Sequence, residues 1–191
     1  NAALRRLGTA IDVTCDHSKP LNARWHKPEA MLKEKRPAGP IINDLATAKI
    51  TVTLPVPMHV TQVGLMQADY KRSFAMAKEV LVKAPGRPAK SFILQQTTGK
   101  VQFIPYEAHT DTIIIEAQSI YPPRDPKAPQ DRPYGGINQV QVLVSEDLDE
   151  LFRIPDLYAR GLSSYTMRTP NLDPQAAAEV QGEPRKATGH P

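Results

Sequence analysis

Between Ile137 and Val144 hydrophobic and polar positions alternate: Val140, Val142 and Val144 fall on one side of an extended chain, and Gln139, Gln141 and Leu143 on the other. A period of two predicts a strand with one buried face. The same pattern runs from Ala48 to Leu54, where Ile50, Val52 and Leu54 share a face, and Val60 to Met66 reads as the next strand. Pro55 and Pro57 lie between them and are read as a stop. Val80, Val82 and Ala84 keep strand period, although the Ala and Met content of Ser73 to Lys78 also permits a helical turn. Pro85-Gly86-Arg87-Pro88 is a turn signal. Ser91 to Leu94 and Val101 to Ile104 follow as strands around a hairpin-like Thr97 to Lys100. A loop from Pro105 to Thr110 then precedes a strand over 111–118, built on Ile113-Ile114-Ile115. Upstream, Ala10 to Cys15 alternates and fits either an edge strand or a linker ordered only by its neighbours, and Glu29 to Lys35 has room for one or two helical turns. The longest internal loop, Pro122 to Gly136, holds five prolines, and connections of that length are usually functional or serve as clasps.

β-branched residues dominate the apolar runs and fit a pleated surface better than a helix. The pattern therefore predicts an all-β protein, an antiparallel β-sandwich (jelly roll). Residues 41–146 form the sandwich, 1–40 an irregular N-terminal extension with an edge strand and loop, and 147–191 an extended or disordered tail without period. The chain has 19 prolines where about 10 are average, which argues for stiff loops between the strands. The net charge of +4 is not gathered into one basic face: the densest run, Lys33-Glu34-Lys35-Arg36, contains an acid. No specific nucleic-acid partner is expected. No apolar run approaches the roughly 20 residues of a membrane span. Cys15 is the lone cysteine, so no intramolecular disulfide forms and the redox compartment is left open. A first residue of Asn1 suggests a removed leader or a segment of a larger protein, and an extracellular or periplasmic location is expected.

Four pieces of the chain from Ile41 to Val144 resemble a galactose-binding-like, discoidin-type domain, the superfamily of coagulation-factor type C modules and NADase-type glycan-binding domains. Lys49-Ile50-Thr51-Val52-Thr53-Leu54, a short Pro turn and Val60-Thr61-Gln62-Val63-Gly64-Leu65 resemble its paired strands. Ala77 to Leu94 resembles its two strands around a tight turn, and Thr110 to Tyr121 a further strand. Gly136-Ile137-Asn138-Gln139-Val140-Gln141-Val142 resembles the closing strand. The resemblance implies glycan recognition by loops at one end of the sandwich. It also implies a structural Ca²⁺ between an early loop, here Asn43-Asp44, and a closing-strand glutamate, here Gln139. A neutral amide weakens such a site, because hard cations favour charged oxygen donors.

Sugar recognition needs planar aromatic faces for stacking and charged or amide groups for hydrogen bonds to hydroxyls. The loop residues that offer these are Tyr70, Arg72, Arg132, Tyr134 and Trp25, with His26, Tyr106, His109 and Arg124 as further candidates. In Tyr70/Arg72 and Arg132/Tyr134 an aromatic stands two positions from a guanidinium. Against this, a tyrosine at the rim of a core with its hydroxyl in water is commonplace. Cys15, His17 and His26 carry zinc-ligating atoms without a dependable spacing or a fourth ligand. Asp44, Asp69 and Glu107 form no recognisable acid–base pair, and phosphate loops and nucleophile elbows are missing from the sequence. The expectation is a non-catalytic binding module, an accessory module of a larger enzyme included, whose partner is a glycan. The alternative is a structural or protein–protein interaction subunit whose two extensions wrap on neighbouring subunits.

Overall fold

A computed structural model describes residues 8–21, 27–33, 39–128 and 133–147. Seven strands follow in chain order: β1 Ala10–Thr14, β2 Ile41–Ile42, β3 Lys49–Ala68, β4 Met76–Lys83, β5 Lys90–Ile93, β6 Val101–Tyr121 and β7 Gly135–Val144. A 3₁₀ turn, Pro28–Leu32, occupies the place of the expected helical turns. The strands make one antiparallel sheet in the order β2-β7-β3-β6-β4-β5, with β1 added beside β3.

Two very long strands turn this sheet into a sandwich. The first part of β3, Lys49–Thr53, pairs with β1 and with Thr112–Glu116 of β6. Its second part, from Val60 on, pairs with β7 and with the first part of β6. β4 and β5 extend the layer that holds the second part of β6. The two ends of β6 return to one rim. The Tyr121 hydroxyl donates to the Leu94 carbonyl at 3.1 Å, while the Gln95 N–H, one residue on, donates to Gln102 Oε1 at 2.6 Å.

The prolines read as strand breakers prove to be points where pairing shifts. β3 passes through Pro55 and Pro57, and its register with β6 slips between Thr53 and Met58. Proline lacks the N–H that a regular ladder needs, so a bulge is where a strand tolerates it. Likewise 105–110 is strand rather than loop: Pro105 stands opposite Gln62, beside a second register shift. The Ser73–Lys78 ambiguity resolves as strand from Met76 onward. The turn at Pro85-Gly86 forms as predicted, with the Arg87 N–H donating to the Ala84 carbonyl and Gly86 at φ 68°. That positive φ is free for glycine and strained for other residues.

One apolar core lies between the layers. Ile50, Val52, Val80, Val82, Ile113 and Ile115 enter it from one side, and Val63, Leu65, Ile104, Val140 and Val142 from the other. Each such side chain contributes about 1.5–3 kcal/mol when fully buried. Ile114 sits on the opposite face and is half-buried, as the two-residue period requires. Met31 and Leu32 of the 3₁₀ turn, and Ile11 and Val13 of β1, join the same core. Tyr106, a candidate ligand contact by sequence, is buried in it and donates to the Pro88 carbonyl at 3.4 Å. Trp25, His26 and Arg132 lie outside the described residues, as do 1–7 and 148–191.

Candidate functional site

The rim at the end of β3 gathers most of the chemistry. After Ala68 the chain makes a tight turn, Tyr70-Lys71-Arg72-Ser73, closed by the Ser73 N–H donating to the Tyr70 carbonyl at 2.9 Å. Both central residues have positive φ, 52° at Lys71 and 65° at Arg72. This is the backbone of a type I′ turn, which favours Asn-Gly, and each side-chain-bearing residue there costs about 1–2 kcal/mol. The turn presents Tyr70, 56% exposed, at its shoulder and both cations at its tip.

The long loop after β6 packs against this turn. The Asp125 N–H donates to the Arg72 carbonyl at 2.8 Å, and the Arg124 guanidinium makes an ion pair with the Asp69 carboxylate. The Asp69 side chain is nearly sealed, at 3% exposure, whereas Arg124 reaches solvent at 43%. Asp69 Oδ1 and Gln67 Oε1 are buried acceptors with no donor among the described residues. At its far end the loop returns through Pro133 and Tyr134. The Pro133 carbonyl accepts from the Leu45 N–H at 2.8 Å and the Tyr134 carbonyl from the Ala75 N–H at 3.0 Å.

These contacts assemble an aromatic row. The ring centroids of Tyr70 and Phe74 lie 6.2 Å apart, and those of Phe74 and Tyr134 6.5 Å apart in an edge-to-face arrangement. Phe74 is buried and acts as the wedge between two more accessible tyrosines. The Lys71 ammonium lies 5.4 Å from the Tyr70 ring centroid, a cation–π contact. Tyr70, Arg72 and Tyr134 are therefore brought to one rim from loops more than 60 residues apart. Phe74 and the Asp69–Arg124 pair belong to the same rim. The pair of sequence positions 69 and 124 carried no local signal, and Phe74 read as part of an undecided helix or strand. His109 stands elsewhere, opposite His59 where β3 and β6 change register, with ring centroids 4.7 Å apart.

Asp44 and Gln139 each make a local hydrogen bond. Asp44 Oδ1 accepts the Ala46 N–H at 3.1 Å, a turn-stabilising bond. Gln139 is 4% exposed, and its Nε2 donates to the Lys33 carbonyl at 2.6 Å. A hard cation such as Ca²⁺ takes about six to eight oxygens, with carboxylates prominent among them. A neutral carboxamide oxygen is a weaker donor to such a cation than a carboxylate. Among the described residues no group of three or more His, Cys, Asp or Glu side chains is placed to hold a metal ion.

The family 32 CBM of C. perfringens NanJ, solved with galactose, superposes with a TM-score of 0.52 at 8% identity, over 73% of this chain and 96% of that one. The likeness is one of fold, an antiparallel β-sandwich. The same sandwich occurs in the mycobacterial arabinofuranosyltransferase AftD, with a TM-score of 0.54 at 11% identity, and there the match covers 72% of this chain but 11% of the enzyme. It occurs again in the CBM32-1 and CBM32-2 domains of Clostridium perfringens ZmpB, solved with GalNAc, with a TM-score of 0.50 at 11% identity over 70% of this chain and 32% of that one. No family model matches the sequence, and no curated protein matches it by sequence. No described helix is long and apolar enough to cross a membrane.

Proposed function

We propose that the protein is a non-catalytic carbohydrate-binding module that recognises a glycan at the rim formed by residues 69–75, 122–128 and 133–134. The observation that carries this reading is the aromatic row Tyr70–Phe74–Tyr134, held beside the Asp69–Arg124 pair and the Lys71-Arg72 turn. An exposed tyrosine ring supplies the apolar face on which the C–H side of a sugar stacks. Guanidinium and ammonium groups around it supply donors for hydroxyls. Shallow recognition of this kind gives modest affinity, which repetition within a larger assembly multiplies. A place outside the cell, alone or attached to an enzyme, is the setting in which such a module meets polysaccharide. Affinity electrophoresis against a panel of polysaccharides tests the reading. Retardation by at least one polysaccharide is expected, with loss of that retardation in Tyr134→Ala and in Tyr70→Ala. Tyr70 is exposed, so its removal leaves the fold intact, and binding that survives both changes refutes the assignment.

One observation favours the interaction-subunit reading. Ile93 on β5, the strand at one end of the sheet order, is 66% exposed. An open strand edge with an apolar side chain is a place for a neighbouring chain to add. Size-exclusion chromatography with light scattering, comparing wild type with Ile93→Lys, separates this from the glycan reading. A mass that falls in the variant supports association through β5.

A further inference from the structure

Resting on the glycan reading, we propose that the rim is built for an anionic glycan, one whose sugars carry a carboxylate or a sulfate. The described residues of the two loops that form it, 69–73 and 122–128, hold Lys71, Arg72, Arg124 and Lys127 against Asp69 and Asp125. Asp69 is matched by Arg124, and Asp125, whose Oδ1 accepts the Lys127 backbone N–H at 2.9 Å, offsets one further charge, so two of the four cations stay in excess. Neither Lys71 nor Arg72 has an ion-pair partner among the described residues, and both are exposed. The positive excess therefore stands at the turn tip, directly beside Tyr70.

The turn itself strengthens the case. A backbone with two successive positive φ values is occupied without strain by Asn-Gly. Here the positions are Lys71 and Arg72, so two positive charges are displayed where uncharged residues would fold more easily. The hydrogen bonds from Ser73 and Asp125 to the carbonyls of Tyr70 and Arg72 fix the tip in this form. Strained backbone held by its surroundings is a feature of binding sites, where it pre-organises a side chain. The Lys71 ammonium rests over the Tyr70 ring, the same surface on which a sugar would stack. A neutral sugar must displace it without compensation. An anionic sugar draws it to its own charge and frees the ring in the same movement. The Arg72 guanidinium adds a planar fork that matches either a carboxylate or a sulfate group.

The test is isothermal titration of the whole protein with polygalacturonate, a carrageenan and a neutral galactan, at low and at raised salt. The anionic polymers are expected to bind at least tenfold more tightly than the galactan at low salt, and to lose most of that advantage as salt screens the charges. Polygalacturonate against carrageenan distinguishes carboxylate from sulfate. The double variant Lys71→Gln/Arg72→Gln should lose the preference at least tenfold while keeping its thermal midpoint, and Lys90→Gln, on β5, should change nothing. Equal binding of galactan and anionic polymers, or an undiminished preference in the double variant, overturns the charge inference and leaves the glycan reading standing. Absence of binding to any polymer overturns both.

Discussion

Gly135 joins three parts of the molecule, and adding one methyl group there tests how the rim is held. It pairs with Ile42 of β2, forms a bridge to Ala75, and follows Tyr134, whose carbonyl accepts the Ala75 N–H. A Cβ at this position would fall well inside 3.0 Å of the Ala75 carbonyl oxygen and 2.5 Å from Leu45 Cδ2. The Leu45 side chain has some freedom, but the Ala75 carbonyl is backbone and must move. Overpacking of this kind costs about 1–3 kcal/mol. Moving Ala75 also stretches its hydrogen bond to Tyr134, worth about 0.5–1.5 kcal/mol. Gly135→Ala should therefore lose about 2–4 kcal/mol in urea denaturation, close to 5–15 °C in thermal midpoint for a chain of this size. Gly86→Ala supplies the comparison. It has positive φ and open space around it, so only backbone strain of about 1–2 kcal/mol applies. The two variants should also separate in function, because Ala75 follows Phe74 and its displacement parts Phe74 from Tyr134. Glycan retardation should weaken in Gly135→Ala and persist in Gly86→Ala. If Gly135→Ala costs no more than Gly86→Ala and binds like wild type, the rim is not clamped at this point and the reasoning fails.

Gln139→Glu replaces the donor to the Lys33 carbonyl with a carboxylate that repels it, and should destabilise by about 1–3 kcal/mol whether Ca²⁺ or a chelator is present. A calcium site at Asp44 and position 139 would reverse the sign, with the variant's thermal midpoint rising on addition of Ca²⁺. Burial raises the pKa of the Tyr106 phenol above its ordinary value near 10, against a smaller opposing effect from the Ala84 backbone and Arg87. The folded state thus holds this proton more tightly than the unfolded chain does, so the contribution is fully present below pH 10 and is lost as pH rises through the raised value. Wild type should lose stability above pH 10 more steeply than Tyr106→Phe in denaturant titrations, while at neutral pH the two should differ by only about 0.5–1.5 kcal/mol through one long hydrogen bond.

The strands that carry a two-residue period were legible because half of each faces a dry core: Val140 and Val142, Ile50 and Val52, and Val80 and Val82 all enter it. The continuity of β3 and β6 was not legible. Pro55, Pro57 and Pro105 each carry the local signature of a break, and only the partner strand shows that they stand at or beside register shifts. The edge strand at Ala10 was visible in its alternation, but its pairing with β3 is a long-range fact. At the rim, Tyr70, Arg72 and Tyr134 were chosen as loop aromatics and cations, and the fold supplies their proximity. Asp69 and Phe74 acquire meaning only across the turn and the 122–128 loop, and Arg124, a loop candidate by sequence, gains its partner there, because an ion pair between residues 55 apart leaves no pattern in the sequence.

The passage of β3 and β6 through both layers has a mechanical consequence. A sandwich made of two separate sheets has a seam along which it can slide or part. Here two mutually paired strands run from one layer into the other, so the layers are joined by continuous backbone rather than by side-chain packing alone. The Asp69–Arg124 ion pair ties the end of β3 to the loop that leaves β6, so a load on the rim is shared by both strands.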